Sequence, residues 1–447
     1  MKKLFPLILS VLMVSCAGNS SVFDVQKFGA KGDGTTDDAA AIQKAIDECT
    51  QAGGGTVLLA GGKTYMAGPL ELKSNVDLHI EAGSTLLANP DESLYHLSAF
   101  GTNEAEGMMW LYCNGAENLS LTGKGTIDGN AIAFMGEELE DSYNLKPIDR
   151  FDPRPHVLTL VGAKKLLIRD LHITGAAYWT IHLAGCEDAV ISGINLLNSL
   201  KVRNCDGIDI DHSRNVRISD CHITSGDDCI CLKNRREFSD YGPCKDIVVT
   251  NCTMTSRSCA IKIGSENVDS IAHVLFNNCI ITESNRGVGI QNRDEGTVTD
   301  VVFQNMLIDC KLWSDVWWGK AEPIYVTSYP RKTADARDAS WRFPPGATEG
   351  SCGEVSNIVF KDIYARSENG CFVGGDVPGK VHDITLNNIN IVLQSRGRYE
   401  NGIIDRRPCE GEEFIKGPLK GVYTENISDL DLSEVKTKIL SNFAENK

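Results

Sequence analysis

Positive charge is scarce in this 447-residue chain. Lysine and arginine number 44 against 60 aspartates and glutamates, a formal net charge of −16. Such a balance excludes a general nucleic-acid binder, whose affinity comes from many phosphate–cation contacts. It also means that an acidic ligand needs a local cluster of cations to overcome the general repulsion. Membrane-spanning length is lacking too: the apolar run in MKKLFPLILSVLMVSC is too short to cross a bilayer comfortably. No Pro/Ser-rich linker or composition break divides the remainder, although length alone would suggest two or three domains. Zinc is not indicated, because Cys229 and Cys231 are only two apart and no second C-x-x-C-type pair accompanies them. The glycine-rich stretch FGAKGDGTTDD is followed by no G-K-[ST] and preceded by no strand of dinucleotide spacing, which argues against a nucleotide cradle.

Residues 1–16 read as a secretory signal, two lysines and an apolar run followed by small residues. Met13-Val14-Ser15-Cys16 fits a bacterial lipoprotein cleavage box, with Cys16 as the lipid-anchored N-terminus. The expectation is an exported protein of the bacterial cell envelope (periplasm or outer membrane), touching membrane only through that lipid. Of sixteen cysteines, setting Cys16 aside leaves an odd number, so not all are paired within the chain. Export permits disulfides, but spacing does not fix their connectivity.

A repeat organises the rest of the chain. LLIRDLHI, AVISGINL, VRISDCHI, IVVTNCTM, VLFNNCII, VVFQNMLI, IVFKDIYA and ITLNNINI share one frame of apolar positions. Its anchors are Ile168, Ile191, Ile218, Val249, Phe276, Phe303, Phe360 and Leu386, about one turn per ~27 residues. Short β-rich runs at this period, separated by Gly, Asn and Asp, predict a parallel β-helix forming one domain over residues 22–440. A second apolar column, Leu171, Ile194, Cys221, Cys252, Cys279, Met306, Ile363 and Ile389, makes the three cysteines small buried core residues. Ala39 to Cys49 has a helical pattern and is expected to cap the open first coil. One long insertion interrupts the period around residues 311–352.

The same frame places charged residues. Ten positions after successive anchors stand Asp228, Cys259 and Arg286; thirteen after, Cys231, Lys262 and Gly289; fifteen after, Lys233, Gly264 and Gln291. The apolar residues between them face inward, so these columns face out. Asp227 and Asp228 open one strand, and Asp206 precedes a matching alternation one coil earlier. Three carboxylates on neighbouring coils suit acid–base work on a glycosidic bond, since close like charges push one another's pKa values apart. The alternative is that the aspartates serve as turn residues bonded to backbone amides.

The stretches FGAKGDGTTDD, GKGTIDG, AAYWTIH, NCDGIDI, SGDDCICLK, IKIGSE and NRGVGIQ, in this order, resemble the polygalacturonase family of pectin-degrading glycoside hydrolases (family 28). That family belongs to the pectin-lyase-like β-helix superfamily. The resemblance implies an all-β, right-handed parallel β-helix that hydrolyses α-linked galacturonate polymers with inversion and without a metal or other cofactor. The expected partner is thus an acidic plant polysaccharide, met by a monomer. By position Asp227 resembles the general acid, and Asp206 and Asp228 the pair activating water. Asn204 matches the family's asparagine beside the first aspartate. Inversion leads us to expect acid and base carboxyls about 6.5–9.5 Å apart.

Departures from the pattern lie in the neighbouring columns. The family usually has Gly-His-Gly where this chain has Ser258-Cys259-Ala260, and Arg-Ile-Lys where it has Gly289-Ile290-Gln291. Cys259 is expected to fill the vacated histidine space. The positive charge is expected to have moved, giving Lys233, Lys262, Arg286, Gln291 and Arg293, with Asn204, as the substrate-binding set. In the insertion, Trp313, Trp317, Trp318 and Lys320 are candidates to line a sugar cleft, and a wall built there favours exo action. Alternatives are a rhamnogalacturonan hydrolase, a Ca²⁺-dependent pectic lyase whose metal the aspartates hold, and an inactive pectin-binding protein.

Overall fold

The computed structural model describes residues 21–100, 107–138, 145–147, 154–313, 319–331, 351–407, 409 and 412–440. Cys16, Trp317, Trp318 and most of the 311–352 insertion fall outside them. Among the described residues, short strands stack in parallel register, coil upon coil, in one 23-stranded and one 11-stranded sheet. Each anchor pairs with the next: Ile168 with Ile191, Ile191 with Ile218, Ile218 with Val249, and onward through Phe276, Phe303 and Phe360 to Leu386. The rings of Phe276, Phe303 and Phe360 stack at 5.1 and 4.9 Å, close to the strand spacing that imposes this on identical inward positions. All eight anchors are fully buried.

Cys221, Cys252 and Cys279 lie in the second buried column, and every described cysteine is a free, buried thiol. The Asn and Asp residues between runs turn the chain. Asp220, Asn251, Asn278 and Asn305 all have φ between 55 and 58°, a left-handed conformation that short polar side chains tolerate. Helix Ala39–Gln51 buries Ile42, Ala45, Ile46 and Cys49, a helical face that packs on the strand Gly55–Leu59 and closes the first coil. No helix among the described residues is long and apolar enough to cross a membrane.

The 11-stranded sheet positions the site. Its inward residues Ile181, Ile208, Ile230, Ile261, Val288 and Ile324 are in register. The outward positions beside them run His182, Asp209, Cys231, Lys262, Gly289, Tyr325 in the same register. The expected column of Lys233, Gly264 and Gln291 is corrected at its first step. Leu232 pairs with Ile263 and Asn234 with Asn267, so Gly264, Ser265 and Glu266 bulge out opposite Lys233. Gly264 permits this: its φ is 98°, and a Cβ there would come 2.2 Å from the carbonyl oxygen of Gln291.

The outer face of this sheet is covered at both ends. Toward the N-terminus, Phe100 meets His156, Tyr178 and Trp179 edge-on at 5.0–5.9 Å. Toward the C-terminus, an antiparallel hairpin of Ile403–Asp405 and Phe414–Lys416 lies over the sheet. Its Ile404 joins Tyr325, Tyr329, Phe372, Cys409 and Tyr423 in a separate buried apolar cluster. Between these two covers sit the aspartates.

Candidate active site

The stretch Ser225-Gly226-Asp227-Asp228 bends tightly before the strand Ile230–Asn234. Gly226 is needed because a Cβ would meet the Val202 carbonyl oxygen at 2.0 Å. Serines hold the bend: the Asp227 amide donates to Ser225 Oγ at 3.0 Å, and Ser256 Oγ donates to the Asp227 carbonyl at 2.5 Å. Gly207, after Asp206, donates its amide to the Asp228 carbonyl at 2.8 Å. Backbone bonding of this kind brings the two coils into contact at their acidic residues. One carboxylate oxygen from each of Asp206, Asp227 and Asp228 lies within 4.8 Å of the others.

Each carboxyl has a different environment. Asp228 accepts the Lys262 ammonium at 2.7 Å on one oxygen and the Cys259 amide at 3.2 Å on the other. Asp227 accepts the Asn204 amide at 3.2 Å. Oδ1 of Asp206 is buried with no hydrogen-bond partner. Their residual exposures are 3% for Asp206, 7% for Asp227 and 1% for Asp228, so Asp227 is the most accessible of a secluded set. Burial first, then the Asp228 charge, pushes Asp227 up to about 6. Burial also raises Asp206 well above the usual carboxylate range, with Asp209, Asp227 and Asp228 adding to it. These groups titrate together, and the protons belong to the set.

Lys262, whose ammonium burial alone would depress, is held above its ordinary value chiefly by Asp228. The trio is also the one group among the described residues able to hold a metal ion. The Lys262 ammonium already neutralises one of its oxygens, which lessens its pull on a divalent cation.

The other expected residues divide. Lys233 lies 3.7 Å from Asp209 and 3.4 Å from Glu266, and its ammonium is 4.8 Å above the Trp179 ring. Asn204 adopts a left-handed φ of 57°; its amide reaches Asp227 while its side-chain oxygen accepts from Arg154 at 3.0 Å. Gln291 lines the outer face between Gly264 and Thr327. Arg286 and Arg293 are not brought to the trio. Arg286 turns to Glu322 at 3.2 Å, under the Tyr325 ring and against the Asp405 carbonyl. Arg293 donates to Thr327 Oγ1 and the Arg406 carbonyl, both at 3.0 Å. Both arginines thus fasten the C-terminal cover.

Trp313 packs its own loop: its indole donates to the Glu283 carbonyl at 2.6 Å and carries Arg257 and Lys311 against its ring. Cys259 donates its thiol to the Ile261 carbonyl at 2.9 Å, and burial raises its pKa, which makes it a poor nucleophile. Oxygens within 4.8 Å leave no place for a water between acid and base along their line, so a water must lie to one side, against two carboxyls at once.

Sequence reasoning missed Asp209, Glu266 and Arg154. Asp209 is fully buried beside Lys233, with neither oxygen hydrogen-bonded. Its outward place in the alternation of GIDI was a usable signal. Glu266 required knowledge of the bulge. Lys233, Arg331, Arg235 and Lys262 outweigh the effect of its burial and hold it ionised. Arg154, which bonds Asn204 from 50 residues away, left no local trace.

The sequence model for "Glycosyl hydrolases family 28" matches residues 49–311. A "Probable polygalacturonase" of Vitis vinifera is 29% identical over 282 residues, covering 58% of this chain and 54% of that protein. An "Exopolygalacturonase" of Zea mays is 27% identical over 220 residues, covering 48% and 50%. The chain spans about half the length of the curated relatives it matches. Among solved structures, the family 28 exopolygalacturonase of Yersinia enterocolitica aligns with TM-score 0.66 at 17% identity, covering 92% of this chain and 78% of that one. A hyperthermoactive exopolygalacturonase of Thermotoga maritima also gives 0.66, at 18% identity and 92% of each chain. At such identities these two likenesses speak to the fold.

Proposed function

Since the chain belongs to glycosyl hydrolases family 28, we propose that it cleaves α-galacturonide linkages in pectic polysaccharides by acid–base hydrolysis. The observation that carries this reading is the convergence of Asp206, Asp227 and Asp228 from two coils on one secluded spot. A lone turn aspartate needs no such company, and three buried carboxyls repel one another at a cost that chemistry can use. Asp227, half-protonated near pH 6, gives its proton to the glycosidic oxygen as the bond to the anomeric carbon breaks. Asp228, paired with the Lys262 ammonium, orients a water with Asp206 and receives the water's proton as the new carbon–oxygen bond forms. Lys233 and Asn204 border the same spot.

One displacement of this kind inverts the anomeric centre. NMR of the first-formed anomer tests this: an inverted anomer supports the single displacement, and a retained one opposes it. The covers at both ends of the sheet support removal of terminal units over internal cuts. Monomeric sugar among the earliest products supports exo action; a ladder of oligomers opposes it. The main test is a digest of homogalacturonan and rhamnogalacturonan with products read by mass. Hydrated reducing ends support the hydrolase. Unsaturated products absorbing in the ultraviolet, abolished by a chelator, mark a Ca²⁺-dependent lyase instead, and binding with no product at all marks an inactive binder.

Export and anchoring through Cys16 remain part of this proposal, supported by the residues of the Met13–Cys16 box. Radiolabelled palmitate entering the intact chain but not Cys16→Ala tests the anchor.

A further inference from the structure

We infer that the sugar seated over Gly289 and Gln291, one strand beyond Lys262, carries no charge, so that the linkage cleaved has an uncharged pyranose on that side. This rests on the reading of the trio as a pectic hydrolase and narrows its substrate.

The two outward residues of this position, Gly289 and Gln291, carry no charge. Gly289 lies in register with Lys262 on one side and Tyr325 on the other, and Gln291 pairs with Thr327. A Cβ at residue 289 would meet Cys259 Sγ at 2.9 Å and Arg286 Cδ at 3.2 Å. Cys259 and Gly289 therefore fit together, and residue 289 brings no cationic side chain of its own while that thiol stands beside it; Arg286, which borders the position, turns its guanidinium to Glu322. Gln291 offers an amide, which hydrogen-bonds hydroxyls and leaves a carboxylate's charge unmet.

Among the described residues, the cations nearest this position are committed to carboxylates of the chain. Lys262 holds Asp228 at 2.7 Å, and Arg286 holds Glu322 at 3.2 Å. Lys233 sits between Glu266 at 3.4 Å and Asp209 at 3.7 Å. Arg235 lies 2.8 Å from Glu237 and 3.8 Å from Glu266. Among the described residues around the trio, Asp206, Asp209, Asp227, Asp228 and Glu266 face Lys233, Arg235, Lys262 and, on the Glu266 side, Arg331. Burial, with neighbouring carboxylates adding to it for Asp206, already raises Asp206 and Asp209 well above the usual range. A further carboxylate in this space meets the ionised Glu266, while hydroxyls find an acceptor in its side chain, which is 32% exposed. A neutral sugar and an esterified uronate satisfy these terms equally.

The test compares kcat/KM of the full chain on matched oligosaccharides: a galacturonate oligomer, its methyl ester, its carboxyl-reduced form, and an alternating oligomer of uronate and neutral sugar. We expect the uncharged or alternating forms to be favoured by about tenfold or more. A preference for the ester alone identifies a masked uronate, and a preference for the alternating and reduced forms identifies a neutral sugar. Gln291→Lys is expected to narrow the ratio at least about threefold and Gln291→Glu to widen it, so one misfolded variant leaves the other to decide. Equal or faster cleavage of the fully acidic oligomer, with a ratio that neither substitution moves, overturns the inference and leaves the hydrolase standing. Should no substrate yield reducing ends, the hydrolase reading falls. Calorimetry on the same oligomers then still decides, because equal or tighter binding of the acidic one overturns the inference.

Discussion

Two columns run side by side along one sheet, a residue apart, and they obey different rules. The inner one, Ile208, Ile230, Ile261, Val288, repeats one chemistry from coil to coil. The outer one, Asp209, Cys231, Lys262, Gly289, changes at every step. Backbone register is the same for both. Inner positions must fill the same cross-section in every coil, so packing selects similar volumes. Outer positions answer only to what lies above them. A β-helix thus separates the residues that keep the coils together from those that act, and side chains separated by one peptide bond can be changed for unrelated reasons.

The sharpest break of that comparison is on the outer side. Asp227→Asn keeps the shape and removes the transferable proton, so kcat should fall about 10³-fold or more while thermal stability holds. An active Asp227→Asn protein would remove the chemical reading altogether. Inside, Phe303→Ala opens a gap in the stack of three rings and should cost about 3–5 kcal/mol of stability, leaving the activity of the folded fraction unchanged. Calorimetric melting beside kcat at low temperature reads both.

Lys262 and Arg286 were expected as equals in substrate binding, and the structure gives them different partners. Arg286→Ala strands Glu322, a fully buried carboxylate, and should cost about 3–5 kcal/mol. Lys262→Gln should act on pH dependence. Asp227 works protonated, so kcat should fall tenfold per unit as pH rises past about 6. The Lys262 ammonium holds the Asp227 pKa down, so its removal should move that fall to higher pH. The same raised pKa makes the folded state take up protons in this range. Its contribution to stability is therefore greatest below the ordinary carboxylate pKa and declines as pH rises through about 6. A high-pH limb that stays in place in Lys262→Gln would show that the lysine serves only the substrate.

How much of this the sequence disclosed depends on the same division. Period-two alternation fixes which residues point inward, and one apolar frame repeated eight times set the register of Ile168 through Leu386. The three aspartates were legible because that frame placed two coils beside each other, and because SGDDCICLK and NCDGIDI resemble a known family. What closes over them was not legible. Phe100 reaches the sheet from a loop, and the Asp405 carbonyl meets Arg286 across 119 residues. No local pattern encodes such contacts. The bulge at Gly264–Glu266 escaped because the anchors on either side keep their spacing while the strand between them takes up the slack.

The smallest expected effect concerns the cysteines, which the second buried column treats as volume. Cys252 stands between Cys221 and Cys279 on neighbouring coils, and its thiol donates to the Thr250 carbonyl at 3.3 Å. Stacked positions lie about one strand spacing apart, ~4.8 Å, whereas a disulfide draws its Cβ atoms to about 3.8 Å. Closing one would pull two coils together against every other pair in the ladder. The thiols are therefore expected to stay reduced in an oxidising compartment, sealed by burial. Cys252→Ala should cost about 1 kcal/mol, the loss of one buried sulfur, and change kcat not at all. A thiol reagent should label none of the three until the protein unfolds. Loss of activity on mild oxidation, absent in Cys252→Ala, would give this buried column a chemistry of its own and blur the division between residues that pack and residues that act.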